Sequence, residues 1–135
     1  MAHDFTNKIA LITGSGRGVG KATALHLARL GADIVINYLR KRTAAEETAR
    51  EIEALGRRAL LVRADIGDPD NIQRLFAEID QHFGGLDILV NNAASGYARP
   101  ILEQKVKGWD WTMNINARAA LFASQQAVPL MQKRG

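Results

Sequence analysis

The chain has 135 residues, of which 47% are apolar and 24% charged, with a formal net charge of +4. That balance suits one globular domain and excludes a disordered chain, and no apolar run approaches the roughly 20 residues needed to span a membrane. There is no cysteine, which removes disulfide and thiolate chemistry and fits a reducing, cytoplasmic setting.

The N-terminal stretch "MAHDFTNKIALITG" lacks the basic leader, long apolar core and small-residue cleavage site of a signal peptide. "KIALIT" (8–13) reads as a first strand that ends at glycine. A helix follows over 18–30, with Val19, Ala22, Leu25, Leu27 and Leu30 at helical spacing and Gly31 as its stop. "DIVIN" (33–37) is a second, β-branched strand. "TAAEETAREIEAL" (43–55) is rich in helix formers and opens on Thr43 as a cap. "ALLVRAD" (59–65) is the third strand. The next helix has Asp68 at the N-cap and Pro69 at its first position. Ile72, Leu75, Phe76, Ile79 and Phe83 form one apolar stripe along it. "GGLDILVNNA" holds a fourth strand. The segment from 109 to 132 reads as a last helix, kinked or ended by Pro129.

Strands alternating with helices imply a parallel sheet with right-handed crossovers. Near-continuous apolar strands imply that both faces are covered. The expected fold is therefore α/β, a Rossmann-type doubly wound parallel sheet with strand order 3-2-1-4. Its ligand crevice lies beyond the C-terminal ends of strands 1 and 4.

The stretch "LITGSGRGVGKAT" (11–23) decides which ligand. A Walker A loop aligned on Gly20–Lys21 places Ser15 where its first glycine belongs. It also places Ala22 where a magnesium-binding hydroxyl belongs. Alanine cannot ligate a metal, so the triphosphate reading fails. Read as T-G-x-x-x-G-x-G, the same loop fits a dinucleotide pyrophosphate. Gly14 turns the chain off the strand, Gly18 lets backbone approach the phosphates, and Gly20 lets helix and sheet pack closely. The helix then aims its free N–H groups at the anion.

The end of the second strand, where an NAD site places an acid, reads "NYLRKR" (37–42) and holds none. Arg40 and Lys41, with Arg17 from the Gly-rich loop, suit a 2′-phosphate instead. Cations also sit unfavourably at a helix N-terminus, so a ligand anion there favours NADP over NAD. His3, His26 and His82 have no mutual metal-ligand spacing, and no metal is expected. The mild basicity comes without an arginine-rich helix or an aromatic-and-basic stacking segment, so no nucleic-acid partner is expected.

The order of "TGSGRGVG", "ADIGD", "NNAA" and "MNINA" resembles the short-chain dehydrogenase/reductase family over the whole chain, which matches that family's N-terminal half. The resemblance implies an NADP-dependent oxidoreductase with a cofactor site running from Gly14, Ser15, Arg17, Gly18 and Val19 to Tyr38, Arg40 and Lys41. Asp65 would accept from the adenine amino group, with Ile66 packing nearby. Asn92, Ala93 and Ala94 would line the cofactor beyond the fourth strand. Asn116 matches the catalytic asparagine that holds a water of the proton relay. Within the family, "GSGRGVGKA", "VINY", "NNAASG" and "WDWTMNINA" look like the type III enoyl-acyl-carrier-protein reductases of fatty-acid synthesis. That implies hydride transfer to an enoyl thioester, carried on acyl carrier protein. A 3-oxoacyl-carrier-protein reductase and a non-catalytic NADP-binding module stand as alternatives.

The family's serine and Tyr-x-x-x-Lys pair are absent from these 135 residues. Tyr38 sits beside the adenine loop, and Tyr97 is followed at the fourth place by Ile101. The chain is therefore expected to be the N-terminal part of a larger reductase domain, stopping before a fifth strand, and to have little activity alone. The last helix would join a homo-oligomer interface in the full-length protein. For Trp109, Trp111 and Phe122, core placement is favoured over interface.

Overall fold

The computed structural model describes residues 3–96 and 98–135. Tyr97, passed over above as a catalytic tyrosine, lies outside the described residues. Four parallel strands, β1 (Ile9–Ile12), β2 (Asp33–Tyr38), β3 (Ala59–Arg63) and β4 (Ile88–Val90), form one sheet in the order β3-β2-β1-β4. Ile9 pairs with Asp33 on one side of β1, and Ala10 pairs with Ile88 on the other. The helices α1 (Gly18–Arg29), α2 (Arg42–Ala54) and α3 (Pro69–Phe83) connect them.

The period-2 alternation of the strands sorts the core into two layers. Leu11, Val35 and Val62 point to one face, where Ile72, Leu75, Phe76 and Ile79 of α3 cover them. Ala10, Ile12, Ile34 and Ile36 point to the other, under Ala24, Leu25 and Ala28 of α1 and Ala45, Ala49 and Ile52 of α2. With both faces covered, β1 is fully buried along its length.

The final helical segment is one rod in three pieces. It runs as α4 (Val106–Met113), a π-helical turn (Asn114–Arg118) and α5 (Ala119–Gln132). It therefore starts three residues before the expected position 109. Ala119, Ala123 and Ala127 recur every fourth residue and are buried, so α5 lies close against the α3 layer. A π turn inside an α-helix commonly marks a functional position. No helix among the described residues is long and apolar enough to cross a membrane.

Several local expectations are corrected. The N-cap of α2 is Lys41, not Thr43, which sits exposed within the first turn. The cap therefore lies two residues earlier than expected, and Arg42, now the first helical residue, bonds Glu46 one turn ahead, Nε to Oε1 at 2.7 Å. Pro129 does not end the last helix but lies inside α5. It is exposed, so water can satisfy the carbonyl its ring leaves without a partner. Val19 is 75% exposed rather than part of the α1 core stripe, because the first turn of α1 overhangs the end of the sheet. Trp109 is 67% exposed and is not core. Phe122 is half-buried and packs on the α3 layer.

Asp68 caps α3 as expected, accepting from Asp70 N–H at 2.9 Å, and Gly84 closes the helix in left-handed geometry. Truncating fully buried Ile79 to alanine is expected to cost about 2–5 kcal/mol in urea unfolding. Val19→Ala should stay within about 0.5 kcal/mol. Equal losses at the two positions would contradict the burial described here.

Candidate functional site

The C-terminal ends of all four strands open onto one cavity of about 450 Å³. It lies at the switch between β1 and β4, where consecutive crossovers leave in opposite directions. Its back wall is the turn from β1 into α1. Gly14 and Gly18 both have positive φ (66° and 60°), a conformation that side chains disfavour. A Cβ on Gly14 would lie 2.9 Å from Ala93 Cα. A Cβ on Gly20 would collide with Gly14 O and lie 2.6 Å from Asn92 Nδ2. Gly18 differs: apart from its chain neighbours and the adjoining backbone of α1, nothing lies within 4 Å of where its Cβ would be, and it lines the cavity.

No acidic residue stands in the first turn of α1, and Arg17 at the N-cap makes no side-chain bond to it. The partial positive charge of the helix N-terminus is thus left for an anion in the cavity. The lysine of the "GK" pair does not serve that anion. Lys21 Nζ is held 2.7 Å from Glu51 Oε1 of α2. Of the "RKR" run, Arg42 is paired with Glu46, and that hydrogen bond, with Tyr38 and Glu46 charge adding, raises its pKa further. Arg40, Lys41 and Arg17 line the cavity instead, beside Tyr38.

Two side chains fix the wall. Thr13 Oγ1 accepts from the N–H groups of Asn92 and Ala93, each at 3.0 Å, and the Asn92 amide donates back to Thr13 O at 3.0 Å. This ties the "NNAA" segment to the Gly-rich turn. On the other side, Asn37 Oδ1 accepts from Gly14 N–H at 3.1 Å. Ser15 lies beneath the cavity rather than in its lining: it is fully buried and accepts from Asn37 N–H at 3.2 Å.

Beyond β3, Asp65 and Ile66 line the cavity. Asp65 Oδ1 accepts from Gly67 N–H at 2.8 Å, and Arg118 of the π turn donates to Gly67 O at 2.8 Å. Ile115 of the same turn joins the lining, as does Trp111 one helical turn earlier. Val19, Asn92, Ala93 and Ala94 also face the cavity. Asn116 does not. Its side chain clamps the Ser95 backbone, accepting from Ser95 N–H at 2.8 Å and donating to Ser95 O at 2.7 Å. Ser95 itself lines the cavity, so Asn116 reaches the site through it.

Sequence reasoning missed Asn37, Ser95, Trp111 and Ile115. Asn37 carried a readable signal, being an amide at the end of an otherwise apolar strand. The last two come from the rod's path over the cavity, which no local pattern encodes.

Residues 8–135 match the family model "short chain dehydrogenase", and the chain belongs to that family. It is 41% identical over 130 residues to the hydroxynaphthalene reductase-like protein Arp2 of Metarhizium robertsii, covering 96% of this chain and 49% of that protein. It is 37% identical to versicolorin reductase 1 of Aspergillus parasiticus, covering 98% of this chain and 51% of that protein. Among solved structures, a short chain dehydrogenase from Burkholderia cenocepacia in complex with NADP superimposes with a TM-score of 0.92 at 40% identity, over 96% of this chain and 53% of that one. A blue fluorescent protein from a metagenomic library, in complex with NADPH, gives a TM-score of 0.86 at 36% identity, over 96% and 53%. The chain spans about half the length of the curated relatives it matches.

Thr13→Val keeps the shape but removes the acceptor for two N–H groups. It is expected to lower stability by about 1–3 kcal/mol, read as a shift of the urea midpoint at unchanged slope. An unchanged midpoint would show that the "NNAA" segment is held by other contacts.

Proposed function

We propose that this chain is the NADPH-binding portion of an oxidoreductase acting on a hydroxylated polycyclic aromatic substrate. The observation that carries the cofactor assignment is the charge arrangement at the cavity: Arg17, Arg40 and Lys41 line it, and no carboxylate stands at the end of β2. A nicotinamide dinucleotide with a 2′-phosphate matches that arrangement. The glycine positions support the fit: Gly14 and Gly20 let the turn pack against Ala93 and Asn92, and Gly18 leaves open space beside its backbone for a pyrophosphate. NADPH, when bound, supplies the hydride.

In this reading the turn at Gly14–Gly20 and the start of α1 hold the pyrophosphate. Asp65 and Ile66 receive the adenine, and Asn92, Ala93 and Ala94 line the path toward the reacting end. Asn116 steadies that end by clamping Ser95, and the relay role that the family resemblance gives it rests on the same residue. The Ser and Tyr-x-x-x-Lys residues of the reaction stand outside these 135 residues in this reading.

The substrate class leans on the names of the relatives, a hydroxynaphthalene reductase-like protein and a versicolorin reductase. These favour hydride delivery to an oxygen-bearing ring carbon over the β-carbon of an enoyl thioester. None of these relatives supports fatty-acid synthesis or an acyl-carrier-protein partner. Self-association belongs to the same family reading, through the rod's outer face, where Trp109, Met113 and Leu121 stand exposed.

Calorimetric titration tests the cofactor assignment. NADPH is expected to bind at least about tenfold more tightly than NADH, a difference of about 1.4 kcal/mol. Lys41→Glu should bring the ratio toward one while leaving NADH affinity within about twofold. Equal or tighter NADH binding by the unmodified chain would overturn the assignment. Mixed with NADPH and either a hydroxynaphthalene or an enoyl thioester, this chain alone is expected to show no turnover. Sustained NADPH oxidation would refute the division of the catalytic residues.

A further inference from the structure

Asn37 is buried (2% exposed) and lies where three segments of the cavity wall meet. Its Oδ1 accepts from Gly14 N–H at 3.1 Å. Its Nδ2 donates to Ala64 O at 3.1 Å and reaches Val62 O at 3.5 Å. Its backbone forms a reciprocal pair with Ser15: Asn37 N–H donates to Ser15 Oγ at 3.2 Å, and Ser15 N–H donates to Asn37 O at 3.0 Å. The next residue continues the link, with Tyr38 O accepting from Ala64 N–H at 3.0 Å.

We infer that Asn37 is a positioning residue that fixes the phosphate-facing turn at Gly14 against the end of β3, and so sets the distance between the pyrophosphate and adenine ends of the cavity. The inference rests on the NADPH reading of this cavity.

The chemistry explains the residue type. One small planar group must accept from an N–H on one side and donate to carbonyls on the other, and asparagine does both. Aspartate has the same shape but cannot donate. Its carboxylate would face Ala64 O and Val62 O in a buried position, and would add negative charge beside the bound phosphates. Leucine would leave Gly14 N–H and Ala64 O without partners. Gly14 is the sensitive partner, because its positive φ has to be held and its neighbours on the turn direct the N–H groups of the first turn of α1. Asn37 touches the turn rather than the ligand's reacting atoms, so it acts through Gly14.

Two ligands separate this role from a purely structural one. NADPH uses both ends of the cavity, whereas adenosine 2′-monophosphate has the adenine and 2′-phosphate but no pyrophosphate. In Asn37→Leu, which is uncharged and leaves both Gly14 N–H and Ala64 O without partners, NADPH affinity by calorimetry should fall at least about tenfold, while affinity for adenosine 2′-monophosphate by NMR titration stays within about twofold. Ser15→Ala, which removes only the acceptor for Asn37 N–H, should show the same selectivity with a smaller loss. Equal weakening of both ligands, or unchanged NADPH affinity in a folded variant, overturns the inference. If Asn37→Leu does not fold, hydrogen exchange of the unmodified chain decides. The Gly14 amide should exchange as slowly as the β1 amides, and exchange at the rate of an open loop refutes the bond. If the unmodified chain binds neither ligand, the NADPH reading fails instead.

Discussion

The approach of α1 to the sheet at Gly20 is the constraint on which the site depends. Only a residue without a Cβ lets the helix start directly over the end of β1, with Gly14 O and Asn92 Nδ2 at its surface. That contact aims the uncapped helix N-terminus along the switch between β1 and β4. Thr13 and Asn37 then hold the turn from opposite sides, one toward β4 and one toward β3. The cavity is therefore a consequence of backbone geometry first and of side-chain choice second.

Charge is divided with similar economy. Lys21 and Arg42, the cations nearest to the Gly-rich loop's "GK" and to the start of α2, are each held by a glutamate on α2. These pairs are exposed and contribute little to stability. Their effect is to sort the local cations. Arg17, Arg40 and Lys41 face the cavity, so the region most favourable to an anion coincides with the helix N-terminus.

Most of the fold was legible in the sequence because the strands alternate cleanly between two buried faces and the helices carry ordinary start and stop residues. Asp68 and Pro69 open α3 where the pattern places them. The errors at Val19, Pro129 and Trp109 share a physical cause. Each was read from local chemistry, and each was decided by where its element sits relative to solvent or a neighbouring helix. The site followed the same division. The Gly-rich turn and the basic run were visible as motifs. The bonds of Asn37 across three segments and the clamp of Asn116 on Ser95 depend on contacts distant in sequence. No pattern within a short window contains them.

The central claim is that one cavity holds both a pyrophosphate and a 2′-phosphate. Phosphorus NMR of NADP titrated with the unmodified chain tests it directly, because the two kinds of phosphate give separate resonances. The account predicts that the pyrophosphate and 2′-phosphate signals shift together, with one binding curve. A shift of the pyrophosphate alone, or no shift in either signal, would contradict it.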